Sequence, residues 1–187
     1  MRLAMAAWIV AVLGAGALIW DGELKPGAVR PTPVRWPEQS HLVRAAELPT
    51  LVVFGHPQCG CTRATLNNLR TLQAKLPGRF AVRVAMTQPA DAPQNWFDTD
   101  TVRLAREVAG GGFHAEDGLE SRRFGAETSG TVLLYASDGH LLFSGGITDT
   151  RSHEGVSRGL IALEELLTGA RTEPVTGLPV FGCALRG

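Results

Sequence analysis

The feature that most constrains the fold is a short apolar strand followed at once by two cysteines and an amphipathic helix. The run "TLVVFG" (50–55) is rich in β-branched residues and ends at a Gly-His-Pro turn, which predicts a buried strand. From Cys61 to Leu76, leucines recur every three or four residues, the spacing of one helix face, and Pro77-Gly78 predicts the end of that helix. A strand joined to the next one by a helix is expected to run parallel to it, through a right-handed connection.

The rest of the domain adds strands and helices in a fixed order. Alternating apolar residues predict a second strand over 79–87, and "TDTVRLAREV" (99–108) predicts a helix capped by Thr99 or Asp100. A short strand near 113–117 and one or two helical turns follow. Apolar runs on both sides of Asp138-Gly139 predict a β-hairpin over 131–137 and 140–146. Leucine spacing predicts a closing helix over 152–169, with Ser152 as its N-cap.

The N-terminus predicts export of this domain. After Arg2 come 18 residues without a charge, up to Trp20, which is just long enough to span a bilayer. Residues 1–20 therefore form a signal anchor or a signal peptide. The two-residue n-region favours the uncleaved anchor, whereas Ala15-Gly16-Ala17 fits a cleavage site. Because Arg2 precedes the run and Asp21 follows it, the remainder is expected on the outer side of the membrane.

Composition and proline content complete the organisation of the 187 residues. Basic and acidic residues balance at 18 each, which gives no indication of a nucleic-acid partner. Residues 21–48 contain four prolines and no periodicity, so we predict a stalk. The predicted domain covers 49–169, and a C-terminal tail of 170–187 carries the third cysteine, Cys183.

A parallel β-α-β unit followed by a hairpin and a helix is the thioredoxin layout, an α/β fold with a mixed central sheet. The stretch "AEDGLESRRFGAETSGTVLLYASDGHLLFSGG" (115–146) resembles membrane-anchored, periplasmic thioredoxin-like proteins of bacteria, of the TlpA/ResA kind. "HPQCGCTR", "TSG", "GGIT", "HEG" and the terminal "PVFGC" resemble a narrower, RedB-type group. The resemblance implies an inner-membrane protein with one N-terminal span, a periplasmic domain and protein thiols or disulfides as partners.

Two positions depart from that family. Its active site is Cys-x-x-Cys, whereas this chain has Cys59-Gly60-Cys61. Its cis-proline position falls on Gly130, and a glycine there lets another backbone segment or an ion approach closely.

Residues two apart do not share a helix face, so Cys59 can pair with Cys61 only if Cys59 lies in the loop before the helix. The resulting small ring would be strained and easily reduced. A helix N-terminus stabilises a thiolate, and a thiolate is both a nucleophile and a ligand for soft metals.

The third cysteine is expected at the same place. In the thioredoxin layout the segment from Gly145 to His153 lies near Cys59, and the last helix leads away from it. The 14 residues from Gly169 to Cys183 reach about 45–50 Å when extended. That exceeds a domain diameter of roughly 30–35 Å. The tail can therefore return Cys183 to the site.

Four functions follow from this constellation. The first is thiol-disulfide exchange, with Cys59, Cys61 and Cys183 as catalytic residues and no required cofactor. The second is binding or delivery of copper(I), or binding of zinc, by the same three cysteines with His56 and His153. The third is a disulfide that only tethers the tail, and the fourth is an inactive thioredoxin-like module that binds a partner.

Overall fold

The computed structural model describes residue 5, residues 8–16 and residues 24–185. Residues 8–16 are helical and exposed, while the remainder of the predicted 1–20 anchor lies almost wholly outside the described residues. Among the residues that are described, none of the helices combines the length and apolar character that a membrane crossing requires. The membrane anchor therefore stays a prediction.

A five-stranded sheet forms the centre of the domain, in the order β3-β2-β1-β4-β5. Strands β1, β2 and β3 are parallel, and β4 and β5 form an antiparallel hairpin beside β1. The bounds of the strands are β1 Thr50–Gly55, β2 Ala81–Thr87, β3 Phe113–Glu116, β4 Thr131–Tyr135 and β5 Leu141–Gly145. Besides the helical residues 8–16, the described part of the chain has four helices. Their bounds are α1 Gly60–Lys75, α2 Asp100–Ala109, α3 Leu119–Phe124 and α4 Arg158–Thr168.

The sheet is buried on both faces, as alternation along β1 shows. Leu51 and Val53 belong to the larger apolar cluster, which also includes the leucines of α1 and α4. Val52 and Phe54 belong to a second cluster on the opposite face. Since neighbouring side chains of a strand point to opposite faces, a continuous apolar run such as β1 belongs in the middle of a covered sheet.

The first helix begins where the cysteines are, because the chain turns from extended to helical geometry there. Cys59 is the N-cap residue of α1, with φ −93° and ψ 121°, and Gly60 is its first helical residue. Helix α2 has the predicted Thr99 cap, whose hydroxyl accepts a hydrogen bond from the amide of Val102. It ends at Gly110 in the left-handed conformation.

The prediction for the closing helix was wrong at its start. Helix α4 begins at Arg158, and Ser157 rather than Ser152 caps it by accepting from the amide of Leu160 at 3.1 Å. Ser152 has φ 55° and Gly155 has φ 113°, both outside helical geometry. A loop over 149–156 therefore precedes α4, and it brings Ser152 to the N-terminus of α1.

The proline-rich segment lacks helices and strands over 25–48, yet it packs along the domain instead of standing apart as a stalk. The amide of Trp36 donates to the carbonyl of Gly139 at 2.8 Å, and its ring contacts Phe124 and Tyr135. Leu42 is buried in the same cluster. Burial of these apolar side chains lowers the free energy of the folded protein. The proline content alone does not indicate that burial.

The C-terminal tail is also ordered against the sheet. Residues 175–178 follow the edge of β5, where the amide of Val175 donates to Leu142 and the amide of Leu178 donates to Ser144. Val180 and Phe181 are buried. The tail thereby covers the free edge of β5 and directs the chain toward the N-terminus of α1.

Candidate redox site

Cys59 lies where β1 ends and α1 begins. Its amide donates to the carbonyl of His56 at 3.1 Å, which closes the His-Pro turn, and its carbonyl accepts from the amide of Arg63 at 3.2 Å as the first bond of the helix. Its sulfur therefore sits at the positive end of the helix dipole. Only 3% of the residue is exposed.

Cys61 lies in the first turn of α1 and is buried as well, at 4% exposure. Its Sγ is 3.7 Å from Oγ of Ser152, in the loop that precedes α4. A disulfide between Cys59 and Cys61 requires Cys59 to lie before the helix, and it does. Helix geometry therefore allows that pairing. Neither cysteine forms a disulfide in the structure.

Cys183 approaches Cys59 from the C-terminal tail, as the length of that tail allows. The two Sγ atoms are 3.3 Å apart, across a sequence separation of 124 residues. Ala184 forms an antiparallel bridge with Thr128, and the amide of Leu185 donates to the carbonyl of Glu127 at 2.8 Å. The end of the tail thus pairs with the segment before β4 through a single antiparallel bridge.

Ser129 joins the two halves of the site, and sequence reasoning missed it. Its hydroxyl donates to Sγ of Cys59 at 3.1 Å and accepts from the amide of Cys183 at 3.0 Å. Its own amide donates to the carbonyl of Cys183 at 2.8 Å. Ser129 is fully buried. Its sequence signals were its place directly before Gly130 and its inclusion in the "TSG" motif.

Gly130 and Gly182 allow this close approach. Gly130 has φ 89°, and its amide donates to the carbonyl of Phe54 at 2.8 Å. A Cβ on Gly130 would lie 3.7 Å from the carbonyl oxygen of Phe181, so the tail backbone does run past this position. A Cβ on Gly182 would lie 1.9 Å from the carbonyl oxygen of Ser129. Gly182 thus brings two backbone segments together, whereas Gly130 is required for its positive φ, since a Cβ there would meet the tail only at an ordinary contact distance.

The three sulfurs differ in acidity. A hydrogen bond from the Cys61 thiol, helped by the Ser129 hydroxyl and by the backbone amides of Cys183 and Thr62, lowers the pKa of Cys59 to about 3, against the effect of burial. The same hydrogen bond to Cys59, together with burial, raises the pKa of Cys61. Burial first, and then the bond to Cys59, raises the pKa of Cys183. Cys59 is therefore the cysteine that ionises first, while Cys61 and Cys183 hold their protons more tightly.

The two predicted histidines differ in their distance from the cysteines. Burial lowers the pKa of His56, against the nearby charge of Cys59, so this histidine lies beside the site. The Nδ1 atom of His56 accepts from the amide of Gln58 at 3.2 Å, and its ring contacts Trp96 edge to face. His153 is exposed in the loop before α4, where Ser152 rather than His153 reaches the site. Within the described part of the chain, no group of three or more His, Cys, Asp or Glu side chains is arranged to hold a metal ion. Binding of copper or zinc by these residues stays a prediction.

Comparisons with known proteins give structural similarity at low sequence identity. No family model and no curated protein matches the sequence. A solved structure of an uncharacterized conserved protein from Geobacillus kaustophilus is 13% identical and has a TM-score of 0.62, over 88% of this chain and 93% of its own. A hypothetical protein from Sinorhizobium meliloti is 21% identical with a TM-score of 0.56, over 75% and 80%. A thioredoxin-like protein from Parabacteroides distasonis is 15% identical with a TM-score of 0.48, over 78% and 96%.

The domain has a thioredoxin-like α/β fold with a mixed central sheet, as the sequence predicted. Its candidate site is a cluster of three thiols at the N-terminus of α1, drawn from that helix and from the C-terminal tail.

Proposed function

We propose that this protein is a thiol-disulfide oxidoreductase of the bacterial cell envelope, and that Cys59 and Cys183 are its redox pair. The observation that carries the proposal is the 3.3 Å contact between the two sulfurs, held on both sides by Ser129. A thiolate in contact with a thiol needs one oxidation to become a disulfide. Formation of the disulfide releases two electrons and its reduction takes up two, so the sulfur pair carries the redox change without a metal or an organic cofactor.

The pair Cys59 and Cys61 is the weaker candidate for the disulfide. It would close a ring with one intervening residue, and such small rings are strained. Cys183 approaches from a separate segment whose backbone is already paired with Thr128 and Ser129. We assign Cys61 the role of hydrogen-bond donor that keeps Cys59 ionised.

The location in the envelope rests on the sequence. The apolar run of residues 3–20 behind Arg2 supports a single N-terminal span or a cleaved signal peptide, with the domain on the periplasmic side or secreted. Disulfide chemistry is maintained in that compartment. The partners we propose are thiol- or disulfide-bearing envelope proteins of the kind that the TlpA/ResA-like and RedB-type resemblance implies.

The test is disulfide mapping combined with a redox assay. The full-length protein is oxidised with oxidised glutathione, and its peptides are mapped by mass spectrometry. Reduction of insulin disulfides is then followed for the wild type and for Cys59→Ser, Cys183→Ser and Cys61→Ser. We expect a disulfide between Cys59 and Cys183, loss of turnover in the first two variants, and disulfide formation still present in Cys61→Ser.

Other outcomes separate the alternatives. A disulfide between Cys59 and Cys61 would refute the pairing. A disulfide between Cys59 and Cys183 without any turnover would support the tether that only holds the tail. No disulfide and no turnover would favour the inactive partner-binding module.

A further inference from the structure

The two sulfurs of the redox pair differ in their access to solvent. Cys59 is 3% exposed, whereas Cys183 is exposed. Cys59 is enclosed by α1, by Ser129 and by the tail itself. A thiol of another molecule that attacks a disulfide between the two cysteines therefore reaches Cys183 first, because exchange requires in-line approach to one sulfur.

The stability of the leaving thiolate also favours attack on the Cys183 sulfur. Attack on Cys183 expels Cys59, whose sulfur accepts a hydrogen bond from the Ser129 hydroxyl and whose pKa is lowered. Attack on Cys59 would expel Cys183, whose sulfur is the exposed one and whose pKa is raised. Exchange is faster when the departing thiolate is the better stabilised of the two.

The tail presents Cys183 without having to swing out. Val180 and Leu185 are buried on its two sides, and the carbonyl of Gly182 accepts from the Arg151 guanidinium at 2.9 Å. The next residue, Ala184, is exposed and small. A partner sulfur can approach Cys183 while the tail stays paired with the segment before β4.

We infer that Cys183 in the tail is the sulfur that forms the mixed disulfide with the partner, and that Cys59 at the helix N-terminus is the resolving cysteine. This assignment rests on the proposed function.

The exchange is balanced in both directions. A partner thiolate attacks Sγ of Cys183, the bond between Cys183 and Cys59 breaks, and Cys59 leaves as a thiolate. A second partner thiolate then attacks the partner sulfur of the mixed disulfide and releases Cys183, which takes up a proton. The partner dithiol is thereby oxidised by two electrons, and the protein is reduced. The reverse sequence, with a disulfide-bearing protein or oxidised glutathione, regenerates the disulfide.

Glutathione serves as the probe, because it carries a single thiol. In one arm, the full-length wild type is oxidised, mixed with reduced glutathione, quenched in acid and mapped by mass spectrometry. In the other arm, reduced Cys59→Ser and Cys183→Ser are each treated with oxidised glutathione, and the modified peptide is identified over time. Serine matches cysteine closely in size, so Cys183→Ser keeps Cys59 covered.

We expect glutathione on Cys183 in the wild type. We also expect Cys59→Ser to be modified at Cys183 about tenfold or more faster than Cys183→Ser is modified at Cys59, in spite of the thiolate at Cys59. Glutathione on Cys59 in the wild type, or equal rates in the two variants, would overturn the assignment and leave the proposed function standing. If the oxidised wild type contains no disulfide between Cys59 and Cys183, the proposed function itself fails.

Discussion

Replacing Ser129 by alanine tests whether this residue stabilises the reactive thiolate. The Ser129 hydroxyl is fully buried and donates to Cys59 Sγ at 3.1 Å, without competition from solvent. A hydrogen bond to a charged group contributes about 1.5–3 kcal/mol. One pKa unit corresponds to about 1.36 kcal/mol. The Ser129→Ala variant should therefore raise the pKa of Cys59 by roughly one to two units.

The assay is an acid titration of the reduced protein, followed by the ultraviolet absorbance of the thiolate. With a pKa of about 3, Cys59 is the one cysteine expected to ionise in the acid range, because the pKa values of Cys61 and Cys183 are raised. The acid transition should move toward neutral pH in Ser129→Ala. Circular dichroism at each pH verifies that the fold is retained.

Ser152→Ala is the matched control, because its hydroxyl contacts Cys61 at 3.7 Å and not Cys59. The acid transition should move far less in that variant. An unchanged midpoint in Ser129→Ala, or an equal shift in Ser152→Ala, would show that the stabilisation of the thiolate does not come from Ser129.

Two further substitutions test the tail and a buried carboxyl group. Gly182→Ala places a Cβ against the backbone carbonyl of Ser129, which cannot rotate away. We expect urea unfolding to show that the free energy of unfolding falls by about 1–3 kcal/mol. Disulfide formation should also slow when the reduced protein is oxidised. Glu116 is buried, its Oε1 has no hydrogen-bond partner among the described residues, and burial raises its pKa. Glu116→Gln should be more stable than the wild type at neutral pH, and the advantage should shrink in acid, because a raised folded-state pKa contributes stability that is lost as pH rises through it.

The controls for these two follow from the same geometry. A Cβ on Gly60 would meet the Ser152 hydroxyl at 2.7 Å, which is the end of a flexible side chain, so Gly60→Ala should leave disulfide formation near the wild-type rate. If Gly60→Ala slowed disulfide formation as much as Gly182→Ala does, the contact between the tail and the Ser129 carbonyl would not control that rate. A stability difference of Glu116→Gln that does not vary with pH would contradict the buried charge.

Most of the secondary structure could be predicted, because its signals are local. The β-branched run of β1, the leucine spacing of α1 and the cap at Thr99 each lie within one turn or one strand of the element they specify. The start of α4 could not be predicted from Ser152. Both Ser152 and Ser157 are competent caps, and the choice depends on the left-handed backbone at Gly155, whose amide donates to Oδ1 of Asn68 at 2.8 Å.

The packing of the proline-rich segment shows the same limit. Its prolines correctly predicted the lack of regular structure, but the burial of Trp36 against Phe124 and Tyr135 depends on a surface that exists only after the sheet has formed. A single tryptophan in an irregular stretch gives no indication of which surface it will cover.

By itself, the sequence determined that two cysteines stand where a strand passes into a helix, since strand, turn and helix signals are all contained in neighbouring residues. It also fixed the length of the tail, which is long enough for Cys183 to return to the site. Only the tertiary structure decided that Cys183 contacts Cys59 and that Ser129 holds both. Those contacts join segments up to 124 residues apart. A local sequence pattern does not indicate which distant backbone segment will pack against Gly182.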